Sequence, residues 1–189
     1  MRSAVVVPVK SFTRAKARLA PALDEASRAE LARSMADRVL TAAGSLPVLV
    51  ACDDDEVAEW ARGRGAEVVW VPGTDLNGAV TAAFDVCAAR GVTRVTVAHA
   101  DLPKARDLSL VVGTSGVVIV PDRRDDGTNV LTVPTALPFP FAYGPGSFKR
   151  HLDVCNTMGL RVTVVRPPEL TWDVDEPDDL PASTETPCA

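Results

Sequence analysis

No run of about eighteen consecutive apolar residues occurs in this 189-residue chain, so nothing in it reads as a membrane-spanning helix. The apolar run in the opening segment MRSAVVVPVKSF is too short for the core of a signal peptide and leads straight into charge. It reads as a first strand, and a cytoplasmic protein is expected. The four cysteines, Cys52, Cys87, Cys155 and Cys188, form no CxxC pair, which argues against a zinc site or disulfide framework and for free buried thiols. There are only two histidines, His99 and His151, and neither has an evident nucleophile nearby, so no Ser-His-Asp arrangement can be assembled. Net charge is −5, which argues against a nucleic-acid polymer as the main partner. A locally basic site for a small anion is still compatible with that balance. Lysine is scarce: there are four against sixteen arginines, and Lys10 and Lys16 both fall in the first sixteen residues.

Short valine-rich runs are present and alternate with longer segments of helical period, the pattern of β-α-β units around a mainly parallel sheet. Strands are expected at 4–9, 46–51, 66–71, 93–98, 116–121, 129–134 and 160–165. Leu31, Met35, Val39 and Ala43 recur every four residues and predict one apolar helix face between the first two strands. Asp53 or Asp54 caps a second helix that stops at Gly65, a third runs roughly from Asn77 to Arg90 with Gly91 ending it, and a fourth from near Ser147 to near Gly159. The last two adjacent strands before the fourth helix are separated only by the polar turn DRRDDGT, which reads as a hairpin or an excursion beside the sheet. One domain over residues 1–181 is expected, followed by a mobile tail at 182–189.

In an open parallel sheet, ligands bind beyond the carboxyl ends of the strands. The segment PVKSFTRAKARLAP follows strand one and carries Lys10, Arg14, Lys16 and Arg18, a cluster suited to a polyphosphate or to a plain solvated loop. It contains no glycine, so it is neither a P-loop nor a dinucleotide fingerprint. In AHADLP, Asp101 leaves the fourth strand, placed to hold a hard divalent cation or to cap a turn. In TWDVDEPDDL, Asp173 and Asp175 stand two apart and share one side of an extended chain. With Asp101 they make an oxygen-rich magnesium site; alternatively Asp175 only caps the turn EPDDL. FAYGPGSFKRH sets Gly144 and Gly146 around Pro145 with Ser147 opening a helix, an anion site or a plain serine N-cap. Thr128 and Asn129 in the turn DDGTN add hydrogen-bond donors.

Taken in order, PVKSFTRAKARLAP, DLNGAV, AHADLP, DGTNVL, FAYGPGSFKRH and DVDEPDDL resemble the 2-phospho-L-lactate or phosphoenolpyruvate guanylyltransferases of deazaflavin coenzyme F(420) biosynthesis, from strand one to about Leu180. The resemblance implies the nucleotide-diphospho-sugar transferase (GT-A-like) α/β sandwich with a mainly parallel central sheet. It implies metal-binding aspartates at Asp101, Asp173 and Asp175, with magnesium as the cation. Contacts to the acceptor's phosphate and carboxylate fall on Thr128, Gly144 and Ser147. Lys10 and Lys16 fall on the GTP phosphates, and Asn77 near the base or ribose. Asp101, Lys10 and Lys16 then form the catalytic set. Ser11-Phe12 departs from the expected Pro-Leu, so the first loop is expected to fold slightly differently.

The partners so implied are GTP and a small phosphorylated carboxylic acid, phosphoenolpyruvate first, with 2-phospho-L-lactate or 3-phospho-D-glycerate as alternatives. Neither nucleic acid nor a membrane is implied, and a homodimer is left open. Related molybdopterin or sugar-phosphate enzymes carry a glycine-rich first loop that is absent here. A non-catalytic nucleotide-binding module is the more distant alternative, but it has no need of three convergent carboxylates.

Overall fold

The computed structural model describes residues 2–113 and 115–180. The expected tail at 182–189, with Cys188, lies outside the described residues. All seven expected strands form: β1 (Ser3–Pro8), β2 (Val48–Cys52), β3 (Glu67–Trp70), β4 (Arg94–Ala98), β5 (Val117–Pro121), β6 (Thr128–Pro134) and β7 (Val162–Val164). They make one sheet in the order β3-β2-β1-β4-β6-β5-β7. β6 pairs antiparallel with both β4 and β5, and every other pairing is parallel. The turn DRRDDGT is therefore a hairpin inside the sheet rather than an excursion beside it.

Helices cover both faces, which is why the strands read as continuous apolar runs rather than alternating ones. Along β1, Val5 and Val7 enter one core while Ala4 and Val6 enter the other. The first core packs α1 (Glu25–Ala42) and α2 (Asp55–Gly63), and the second packs α3 (Leu76–Ala89) and α5 (Ser147–Thr157). Two four-residue helices, α4 (Ser109–Val112) and α6 (Pro168–Thr171), are too short to show a helical period in sequence. No helix among the described residues is long and apolar enough to cross a membrane.

The expected face of α1 meets the sheet at Val39 and Ala43, but its first half differs. Ala32, Ala36 and Val39 meet the sheet, and their small size lets the helix approach closely. Leu31 and Met35 turn instead toward a third cluster with Leu19, Leu23, Val174, Trp172 and Leu180. Leu19, Met35 and Val174 are each at most 2% exposed, and each such side chain contributes about 1.5–3 kcal/mol relative to exposure. Apolar packing, not surface charge pairing at about 0–1 kcal/mol each, therefore holds the C-terminal segment 172–180 over the first loop.

Aspartates start α1, α2 and α3. Asp24, Asp54 and Asp75 accept from the backbone N–H groups of Ser27, Val57 and Gly78. Asp54 rather than Asp53 is thus the cap of α2, which leaves Asp53 uncommitted. The parallel strands all end on one edge of the sheet, and antiparallel β6 begins there. That edge gathers Lys10 beyond β1, Asp53 beyond β2, Asp101 beyond β4 and Thr128 at the start of β6.

Candidate active site

A cavity of about 470 Å³ opens at the ends of β1 and β4, lined by Lys10, Arg14, Lys16, His99 and Asp101 among others. The first loop that forms its wall is anchored by Phe12, which is 1% exposed and meets Trp60 edge-on at 5.1 Å. The departure at Ser11-Phe12 is accommodated as an aromatic peg, with the Arg33 guanidinium 4.8 Å from the Phe12 ring centroid.

Lys16 adopts left-handed backbone (φ 55°, ψ 38°), a conformation costing a non-glycine residue about 1–2 kcal/mol. The turn aims its ammonium inward. Lys16 Nζ donates to Asp101 Oδ2 at 2.6 Å and to Asp175 Oδ1 at 2.9 Å. The first loop, the end of β4 and the C-terminal segment thus converge on one nitrogen. Burial would lower the Lys16 pKa, but the charges of Asp101 and Asp175 outweigh it and hold the ammonium above its ordinary value. Burial likewise opposes ionisation of Asp101, and Lys16 reverses that effect, leaving the carboxyl below its usual range.

Two carboxylates share this single ammonium. Asp173 pairs with no cation among the described residues, and burial, followed by the charge of Asp101, pushes its pKa up to about 6. Asp101 Oδ1 is buried without a hydrogen-bond partner. Both features mark a site short of positive charge, and an all-oxygen donor set suits a hard divalent ion. Among the described residues no three acidic, His or Cys side chains stand as a preformed metal cage. Lys16 lies between Asp101 and Asp175, so in this state its ammonium serves the aspartates rather than a phosphate. Lys10 lines the cavity and makes no ion pair among the described residues.

Asp175 is free to reach Lys16 because it is not a helix cap. Glu176 and Asp179 form a reciprocal capping box, and Asp179 Oδ2 accepts from the backbone N–H groups of both Asp175 and Glu176 at 2.8 Å. Asp179 is itself 1% exposed and pairs with Arg123. Arg123 also donates to the Asp173 carbonyl at 3.2 Å. Sequence reasoning missed this Arg123–Asp179 brace, because nothing local links the two residues.

Thr128, Gly144 and Ser147 lie together near the start of β6 but are already engaged with their surroundings. The Ala142 N–H donates to His151 Nε2 at 3.1 Å, so the neutral ring carries its proton on Nδ1 and donates to Thr128 Oγ1 at 3.0 Å. The Thr128 hydroxyl hydrogen is then left for another acceptor. Burial first, then the neighbouring His99 and Arg150, lowers the His151 pKa to about 4.

Gly146 (φ 70°), not Ser147, is the N-cap of α5, a left-handed position suited to glycine. The Gly146 N–H donates to Asp126 Oδ2 at 3.2 Å, the Ser147 N–H to the Gly144 carbonyl at 3.0 Å, and the Phe148 N–H to the Asp126 carbonyl at 3.0 Å. An anion approaching this helix start meets donors that Asp126 already occupies.

Asn77 is drawn to the same side. Its Oδ1 accepts from the Tyr143 N–H at 2.6 Å and its Nδ2 donates to the Tyr143 carbonyl at 3.3 Å. Both polar atoms therefore fix the main chain of the FAYGPG loop rather than facing a nucleotide. Three of the five buried side-chain atoms without partners among the described residues are Asp101 Oδ1, His99 Nε2 and Tyr143 Oη, so unmet polar demand concentrates beyond β4. His99 and Tyr143 are neighbours, their ring centroids 5.1 Å apart. Tyr143, the one tyrosine in the chain, was the sequence signal available for this cluster.

The chain matches the family described as guanylyl transferase CofC like over residues 3–183. It is 37% identical to a phosphoenolpyruvate guanylyltransferase of Rubrobacter xylanophilus, covering 93% of this chain and 90% of that one. It is 34% identical to a 2-phospho-L-lactate guanylyltransferase of Methanothermobacter thermautotrophicus, covering 95% of this chain and 82% of the relative. Among solved structures, a protein described as a nucleotide-diphospho-sugar transferase from Desulfovibrio desulfuricans G20 superposes with TM-score 0.77 at 18% identity, covering 93% of this chain and 84% of that chain. The expected fold is the observed one.

Proposed function

We infer that this chain, which belongs to the CofC-like guanylyl transferase family, moves the guanylyl group of GTP onto phosphoenolpyruvate. The products are enolpyruvoyl-2-diphospho-5′-guanosine and diphosphate, a reaction of coenzyme F(420) biosynthesis. The observation that carries the reading is a cavity lined by Lys10, Arg14, Lys16 and Asp101 at the carboxyl edge of the sheet.

An oxygen of the acceptor phosphate attacks the α-phosphorus of GTP in line. A new P–O bond forms there, the bond from the α-phosphorus to the bridging oxygen breaks, and its electron pair leaves with diphosphate. The acceptor phosphate is largely dianionic at neutral pH because its second pKa is about 6. No general base is needed, which agrees with a buried, neutral His151 already bonded on both ring nitrogens. Catalysis then consists of bringing anions together and offsetting their charge.

Lys10 and Arg14 face the triphosphate from the first loop and oppose charge on the departing diphosphate. Lys16 keeps Asp101 and Asp175 apart and charged until nucleotide arrives, then turns toward the phosphates. Magnesium held by Asp101, Asp173 and Asp175 would supply the positive charge this rim lacks beside the attacked phosphorus. Thr128, Gly144 and Ser147 receive the acceptor's phosphate and carboxylate, and Asn77 holds their loop in place through Tyr143.

The test is diphosphate release from GTP with phosphoenolpyruvate, 2-phospho-L-lactate and 3-phospho-D-glycerate supplied separately. Phosphoenolpyruvate should give the highest kcat/KM. The 2-phospho-L-lactate relative makes that acid the second candidate. Release with none of the three would leave a nucleotide-binding module and remove the transferase reading.

A further inference from the structure

Beside the larger cavity, a second of about 240 Å³ opens beyond β2 and shares Pro8, Val9, Lys10 and Leu76 with it. The two differ in electrostatic balance: Lys10 borders both, but only the larger adds Arg14 and Lys16. The first loop puts its cations in the larger one, which suits phosphates. The smaller is walled by Ala51, Val71 and Ala79, and its acidic lining residues are Asp53 and Asp75, which would repel a phosphate. A nucleotide with its triphosphate in the larger cavity therefore directs its base into the smaller one. Leu76, 37% exposed at the shared mouth, offers the base an apolar face.

The polar groups of this smaller cavity are mostly committed. Asp75 caps α3 through the Gly78 N–H at 2.8 Å, and the Thr74 hydroxyl donates to the Val71 carbonyl at 2.9 Å. Asp54 does the capping work on α2 that its neighbour Asp53 might otherwise do. Half-buried Asp53 is left with no side-chain partner among the described residues. We propose that Asp53 reads the base: its two carboxylate oxygens accept the N1–H and the exocyclic N2–H of guanine, making this cavity guanine-specific. The proposal rests on the larger cavity being the triphosphate site.

The chemistry discriminates sharply. A carboxylate offers two acceptors, and guanine presents two adjacent donors on that edge. Adenine presents an acceptor at N1, whose lone pair would face the carboxylate. Sites built around such a polar match reject the mismatched analogue far more strongly than apolar pockets reject a shape change.

Calorimetric binding of GTP, ITP, XTP and ATP, with magnesium, to the wild type and to Asp53→Asn tests this. Xanthine keeps N1–H but carries a carbonyl at position 2, which matches the acceptor and donor of an asparagine side chain. The wild type should bind GTP about a hundredfold more tightly than XTP, and ITP, lacking the 2-amino group, about tenfold more weakly than GTP. Asp53→Asn should reverse the GTP-over-XTP order. Unchanged order, or an equal loss for all four nucleotides, would overturn the proposal. If the variant does not fold, the wild-type comparison decides alone, and equal affinity for GTP and ITP rejects a carboxylate at the 2-amino group. A reversed order without diphosphate release from any acid would keep the base assignment and reject the transferase reading instead.

Discussion

The two sides of the reaction edge differ in readiness. On the nucleotide side, at the ends of β1, β2 and β4, cavities stand open, and among the described residues Lys10 and Asp53 have no side-chain partner and Asp101 Oδ1 is buried without one. On the acceptor side, around the start of β6 and of α5, Thr128 bonds His151, Asn77 bonds Tyr143, and Asp126 occupies the Gly146 N–H. One side waits with unmatched charge; on the other, most of the polar groups are already bonded to their neighbours. Nucleotide should therefore bind to a preformed surface, and the acceptor should have to displace existing contacts, with correspondingly weaker affinity.

Five substitutions or titrations would break or sharpen that contrast. Asp101→Asn should keep the fold and lower kcat by about a hundredfold or more, as loss of a central electrostatic group does. Near-normal turnover at saturating magnesium would take Asp101 out of the chemistry. Lys16→Met leaves Asp101 and Asp175 facing each other without their shared counter-charge, and should lower stability by about 1–3 kcal/mol in chelator. Added magnesium should raise the melting temperature of this variant more than that of the wild type. An equal response in both would show that Lys16 is not standing in for a cation.

Acid should open the acceptor side. The folded-state pKa of His151 is depressed from 6.5 to about 4, so unfolded chains take up the proton first as pH falls through that window. His151 should contribute a loss of about 3 kcal/mol between pH 6.5 and 4, seen as a steeper fall in denaturant midpoint than in His151→Asn. Parallel curves for the two proteins would refute it. Asn77→Ala should raise the acceptor KM about tenfold with GTP affinity unchanged, because it releases the Tyr143 main chain. The reverse split would return Asn77 to the nucleotide side. Smallest, Asp126→Ala frees the start of α5 and should tighten the acceptor about two- to fivefold at low salt, an effect fading as salt rises.

Much of the fold was legible because strands buried on both faces must be continuous apolar runs, and valine marks all seven. The helix stops at Gly65 and Gly91 were legible because both take positive φ, 75° and 73°. The α1 face was legible at Val39 and Ala43 but not in its first half, because alanine, weakly hydrophobic, packs where a helix must lie close to a sheet, while Leu31 and Met35 serve another cluster. At the site, the sequence pointed to Asp101, Asp173 and Asp175 but not to Lys16 between two of them. That pairing depends on a left-handed residue and on chain segments 159 residues apart, neither of which has a local signature. The resemblance placed Asn77 near the base or ribose, and nothing local shows that its side chain is held elsewhere. Its partner, the Tyr143 main chain, lies 66 residues away.

The 159-residue span between Lys16 and Asp175 also bears on the order in which the protein acquires its charge balance during synthesis. At ribosomal speeds of about 5–20 residues per second, Asp175 follows Lys16 by on the order of ten seconds or more. For all of that interval the first loop carries its cations with no C-terminal segment to cover them. A nascent chain that has emerged through β7 still lacks Asp173 and Asp175, so a product ending before Trp172 would be unable to assemble the rim.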